Sequence, residues 1–91
     1  MGLSMSVRIE FYGIPRQRAG LESIDIEAAT LGEAFQQLSE QLPQFADACL
    51  SGGQMQPSFL ANLNGENFTT DPLTPLEPGD TVLIISADAG G

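Results

Sequence analysis

The segment Thr81-Val82-Leu83-Ile84-Ile85-Ser86 constrains the fold of this chain more than any other stretch. It is short, almost wholly apolar and rich in β-branched side chains, and the turn residues Pro78-Gly79-Asp80 precede it. Such a run reads as a strand buried on both sides in the middle of a sheet. The rest of the chain must then supply strands to flank it and a layer to cover it. After Ser86 the apolar pattern stops. Ala87-Asp88-Ala89-Gly90-Gly91 has no side chain able to anchor it, so residues 87–91 are expected to form a flexible tail.

The flanking strands are legible. Val7, Ile9 and Phe11 alternate with Arg8, Glu10 and Tyr12, the period of a half-buried strand. Gly13, Pro15 and Gly20 punctuate a loop, and a second alternation runs through Leu21, Ile24 and Ile26. Thr30-Leu31-Gly32-Glu33 matches a capping box, in which the Thr30 hydroxyl accepts from the Glu33 amide and Glu33 reaches back to the Thr30 amide. Leu31, Ala34, Phe35, Leu38 and Leu42 follow at helical spacing. Pro43 ends or redirects that helix. Phe45, Ala46, Ala48 and Leu50 suggest a short helical turn, broken at Ser51-Gly52-Gly53. Phe59, Ala61 and Leu63 form a third alternation, and Asn64-Gly65 predicts a type I′ turn into a short return strand.

The order is strand, strand, helix, strand, short strand, strand. With the last strand central and parallel to the first, this is an α+β fold of the β-grasp (ubiquitin-like) kind. Its mixed sheet has four to five strands, with one main helix across one face. At 91 residues the chain has room for one domain, expected over residues 7–86, which buries only about 60–65% of its unfolded surface.

Composition excludes several functions. Twelve Asp and Glu face three Arg, with no Lys or His, for a net charge of −9. Nucleic acid and anionic membrane surfaces both require clustered cations, so neither is an expected partner. A protein with a basic docking surface is favoured instead, and the charge reads equally well as a device that keeps a small domain in solution. Metal ligands are scattered and poor in His and Cys, so no metal site is expected. The single cysteine, Cys49, has no His to activate it and reads as a buried or idle thiol. The absence of an apolar span or a basic leader pattern makes the cytoplasm the expected location.

The tail is where chemistry remains. Gly90 and Gly91 lack Cβ atoms, so a partner can close tightly around their backbone. The carboxylate of Gly91 can be activated as an acyl-adenylate, from which a sulfur donor displaces AMP to leave a thiocarboxylate.

These features together resemble the ubiquitin-like sulfur carriers, and most of all the small subunit of molybdopterin synthase. The matching pieces are Val7-Arg8-Ile9-Glu10-Phe11-Tyr12, the Arg-containing loop to Ala19-Gly20, and Thr30-Leu31-Gly32-Glu33. Leu63-Asn64-Gly65-Glu66, Pro72-Leu73, Pro78-Gly79-Asp80-Thr81-Val82 and Gly90-Gly91 complete the set. The resemblance implies a protein co-substrate rather than an enzyme, with no bound cofactor of its own. An E1-like adenylating enzyme spends ATP on Gly91, and a sulfur-transfer protein supplies the sulfur. The large subunit of molybdopterin synthase then receives the tail. Ser86-Ala87-Asp88-Ala89 departs from the proline-containing approach common in those small subunits. Relatives that serve thiamin, cysteine or tRNA thiolation use the same chemistry, and a ubiquitin-like protein modifier is a further alternative.

Two more expectations follow from the residues. Strand parity puts Leu60, Leu83 and Ile85 on the sheet face away from the helix, as a partner-binding patch continuing into Ala89 and Gly90. Leu50-Ser51-Gly52-Gly53-Gln54 matches the signature peptide of ABC-type ATPases, but no P-loop and no lysine accompany it, so it reads as a Gly-rich loop.

Overall fold

Thr81–Ser86 forms the middle strand of a five-stranded sheet in a computed structural model that describes residues 6–87. In chain order the elements are β1 (Ser6–Phe11), α1 (Ile14–Ala19), β2 (Ser23–Glu27), α2 (Leu31–Gln41) and α3 (Pro43–Cys49). They continue with β3 (Leu50–Ser51), β4 (Gln54–Met55), β5 (Phe59–Leu63), β6 (Asn67–Phe68) and β7 (Thr81–Ser86). The main sheet runs β2-β1-β7-β5-β6, and β3 and β4 form a separate two-stranded hairpin. β7 lies parallel to β1, with Ile9 opposite Val82, and antiparallel to β5, with Ala61 opposite Ile84. The β-grasp expectation holds in order and direction.

Period-two burial sets the layers. Val7, Ile9, Phe11, Ile26, Phe59, Ala61, Val82 and Ile84 are buried on the helix side of the sheet. Leu31, Ala34, Phe35 and Leu38 of α2 meet them across one core. The alternate residues of β7, Leu83 and Ile85, are only half-buried. The expectation of a strand buried on both sides is thus corrected: among the described residues no element covers the second face, and its apolar side chains are left half-buried.

One segment differs from the sequence reading. Residues 14–19 are a helix, not a loop. Pro15 in its first turn and Gly20 in the left-handed conformation just past its end (φ 77°) are a helix start and stop. Pro43 redirects the chain into α3, the short helical turn expected there. The covering layer therefore has two short helices beside the main helix α2. Phe45 of α3 meets Phe11 edge-on, with ring centroids 5.1 Å apart. Gly52 and Gly53, both at positive φ (60° and 79°), form the turn of the β3–β4 hairpin. That accounts structurally for the ATPase-like peptide.

The motifs shared with the sulfur carriers build joints of the fold. Asn64 and Gly65 both take positive φ (57° and 72°), as a type I′ turn requires. Asn64 Nδ2 donates to Asp80 Oδ1 at 3.0 Å, and its Oδ1 accepts from the Thr81 amide at 2.8 Å. Asp80 Oδ2 accepts from the Glu77 amide at 2.8 Å. Leu63-Asn64-Gly65-Glu66 and Pro78-Gly79-Asp80 are thus two halves of one clasp that fixes the start of β7.

The capping box forms with a shift of one residue. Thr30 Oγ1 accepts from the Glu33 amide at 3.2 Å, but Glu33 Oε1 takes the Ala29 amide, at 2.8 Å, rather than that of Thr30. The entry to α2 is held extended by a bridge between Thr30 and Pro75. The carbonyls of Thr74 and Pro72 accept from the Leu31 and Gly32 amides, both at 2.9 Å, and so satisfy donors that a helix start leaves unpaired. A Cβ on Gly32 would fall 2.9 Å from Pro72 Cβ and 3.0 Å from its carbonyl oxygen. In an exposed helix, Gly to Ala is worth about 1 kcal/mol of stabilisation. Here the sign is expected to reverse, with Gly32→Ala lowering stability by about 1–3 kcal/mol through this clash. Urea unfolding measures it.

Candidate functional site: the tail exit and the open sheet face

The topology carries the chain end out from the middle of the sheet. β7 runs toward the end at which β1 stops and β5 starts. There the Tyr12 amide donates to the Ile84 carbonyl at 3.0 Å, and Phe59 stands opposite Ser86. The Ala87 amide donates to the Ser58 carbonyl at 2.8 Å, so the first residue expected in the tail is still held by the sheet through its backbone. Ala89, Gly90 and Gly91 lie outside the described residues.

The open face divides into two halves. On β7 and β5, Leu60 stands opposite Ile85, and Asn62 opposite Leu83. Leu60, Leu83 and Ile85 are half-buried and share this face, and residues 44–56 build α3 and the β3–β4 hairpin without covering it. Phe68 of β6 stands opposite Asn62 on its other side and is 62% exposed. The sequence reading missed Asn62 and Phe68. The parity that selected Leu60 also selects Asn62 two residues on, and the Asn64-Gly65 turn carries that parity to Phe68.

The other half is polar. Arg8 Nε pairs with Glu10 Oε2 at 3.1 Å, and Arg8 Nη2 donates to Ser23 Oγ at 3.2 Å. Tyr12 Oη donates to Glu10 Oε1 at 2.8 Å, which with the carboxylate's charge holds the phenol pKa above its ordinary value. The Arg16 guanidinium lies 5.3 Å from the Tyr12 ring centre, while its Nε donates to the Phe11 carbonyl at 3.0 Å. The Arg8–Glu10 pair is exposed and adds little to stability.

The single cysteine lies apart from this site. Cys49 is fully buried in the core, and burial pushes its thiol from 9.0 to about 11. At pH 8 the folded chain is expected to react with iodoacetamide about 100-fold or more slowly than the unfolded chain, because its thiolate fraction falls by that factor. The raised pKa also sets a sign. The unfolded chain loses the thiol proton first, so stability falls as pH rises from about 9 toward 11. Alkylation with and without denaturant, read by mass, checks the first expectation.

Among the described residues no group of three or more His, Cys, Asp or Glu could hold a metal ion, and no helix is long and apolar enough to cross a membrane.

The ThiS family model matches residues 9–91, nearly the whole chain. The chain belongs to the ThiS family. Its members are small ubiquitin-like sulfur carriers, proteins that carry a group rather than catalyse its transfer. Solved structures share this ThiS-family fold at low sequence identity. SAMP1 from Haloferax volcanii is 19% identical, with a TM-score of 0.80 over 94% of this chain and 99% of that one. The CysO-containing BexX/CysO complex from Amycolatopsis orientalis matches at 20% identity and TM-score 0.76, over 93% of this chain and 99% of that one. A putative molybdopterin converting factor subunit 1 from Pyrococcus furiosus matches at 17% and 0.71, over 91% of this chain and 98% of that one. No curated protein matches the chain.

Proposed function

We propose that this ThiS-family chain is a sulfur carrier whose working group is the carboxylate of Gly91, and that its sulfur goes to molybdopterin as part of a two-subunit synthase. The observation that carries the reading is the exit geometry. The central strand is held by β1 up to Ile84 and by β5 up to Ser86, and the Ala87 amide is bonded to the Ser58 carbonyl, so the four residues that follow start from a fixed point at the end of the sheet. From Ala87, four further residues reach about 13–14 Å, enough to enter a partner's active site while the domain stays docked outside.

An E1-like enzyme joins the Gly91 carboxylate to AMP, releasing pyrophosphate from ATP. A sulfur nucleophile, delivered by a sulfur-transfer protein, attacks the acyl carbon and AMP leaves, so that one carboxylate oxygen is replaced by sulfur. The large synthase subunit then receives the tail. This chain contributes no acid, base or cofactor. It contributes reach, a backbone without Cβ atoms at its tip, and a docking face made of Leu60, Leu83 and Ile85.

Intact-mass measurement after incubation with an E1-like enzyme, ATP and hydrosulfide tests the chemistry. Exchange of one oxygen for sulfur is expected. Attachment to other polypeptides without that exchange would make the chain a protein modifier instead. Complementation of a strain lacking the molybdopterin synthase small subunit tests the destination. Rescue of a thiamin or cysteine auxotroph in its place would reassign the pathway.

A further inference from the structure

Among the described residues, Asn62 Oδ1 is the one buried side-chain polar atom without a hydrogen-bond partner. On the polar half of the same face Glu10 takes Arg8 and Tyr12, and Ser23 takes Arg8. Asn62 stands between Leu83 and Phe68 across the ladder, two residues from Leu60 on its own strand. It is only 7% exposed, and its Oδ1 is enclosed without any hydrogen-bond partner. An unpaired buried amide oxygen is a cost to the free chain, which a leucine of similar size would avoid. The amide turns readily about its Cβ–Cγ bond, so either end can be presented to the surface above it.

The surroundings define what would use it. Leu60, Leu83, Ile85 and Phe68 ring the amide with apolar surface. Beyond them lie Glu10, in register beside Leu83, and Glu66 in the hairpin turn, on a chain of net charge −9. A second copy of the chain would bring the same charge and repel. A basic protein surface fits both the ring and its rim, and Arg is the side chain that most often anchors such a centre.

We propose that Asn62 is the polar anchor of this interface: an Arg or Lys of a basic partner protein, seated on Leu60, Leu83, Ile85 and Phe68, donates a hydrogen bond to Asn62 Oδ1. The partner's identity as the adenylating enzyme rests on the carrier reading. The anchoring role rests on the unpaired amide and its setting.

The test uses the source organism's E1-like enzyme that adenylates the wild-type chain, recognised by pyrophosphate exchange that depends on the chain. Asn62→Leu is expected to unfold at higher urea concentration yet bind that enzyme about 10- to 100-fold more weakly, the factor a hydrogen bond to a charged group supports. Asn62→Asp keeps the acceptor and adds charge. It is expected to bind at least as tightly as wild type, with a gain that shrinks as salt is added. Where Asn62→Asp does not fold, the opposite signs for Asn62→Leu decide alone.

Binding by Asn62→Leu equal to or tighter than wild type overturns the proposal. So does a loss of stability in Asn62→Leu, which would mark the amide as a structural group. A free chain that sediments as a dimer, dissolved by Asn62→Leu, assigns the face to a second copy and overturns it too. If no enzyme adenylates the wild-type chain, the carrier reading falls and takes the named partner with it. If adenylation proceeds and Asn62→Leu binds normally, the anchor alone falls.

Discussion

A chain lacking Gly91 is expected to form at least about 100-fold less thiocarboxylate than the full chain while unfolding at the same urea concentration. Reach decides the outcome. Removing one residue withdraws the carboxylate by about 3.5 Å. A misplacement of about 1 Å at a reacting centre already costs about 100-fold. The sheet cannot give that distance back, because β7 is held on both sides and Ala87 is bonded to Ser58. Stability should not change, since the core ends at Ile84 and the ladder at Ser86. Intact mass after adenylation in the presence of hydrosulfide reads the first effect, and urea unfolding the second. A truncated chain that still gained sulfur at full rate would show that the reactive carboxylate is not at Gly91.

The second large effect concerns stability. Phe45→Ala is expected to cost about 3–5 kcal/mol, the usual range for emptying a buried aromatic site. Phe45 is fully enclosed and is the ring by which α3 meets Phe11 on the sheet. A domain of this size has about 5–14 kcal/mol to lose, so the variant should be close to unfolding at body temperature. Amide exchange would rise first in α3 and in the β3–β4 hairpin that follows it. If Phe45→Ala were as stable as wild type, α3 would be an ornament on the core rather than part of it.

The sequence made the sheet legible because a strand's message is repeated. Val7, Ile9 and Phe11 say the same thing three times, and Thr81–Ser86 says it more strongly. The helix α2 was equally plain from its stripe and its cap. The helix over residues 14–19 was not, because six residues hold too few turns for periodicity to speak. Its two punctuating residues, Pro15 and Gly20, are equally common loop markers. They signal a helix only when read as a pair with opposite roles. The apolar density of β7 was also ambiguous. It could mean burial on two faces, or burial on one and an interface on the other, and only the absence of a covering element separates these. The candidate site was half legible. Leu60, Leu83 and Ile85 came from parity, whereas Asn62 needed the knowledge that its oxygen has no partner, and no pattern of residue types records that.

The strand that fills the middle of the sheet is also the last to be made. Until Thr81–Ser86 has left the ribosome, β1 and β5 have no neighbour between them, and each presents a bare edge. The two ladders that join β1 to β5 both wait for that strand. The sheet that carries the open face is therefore complete only once Thr81–Ser86 has been made.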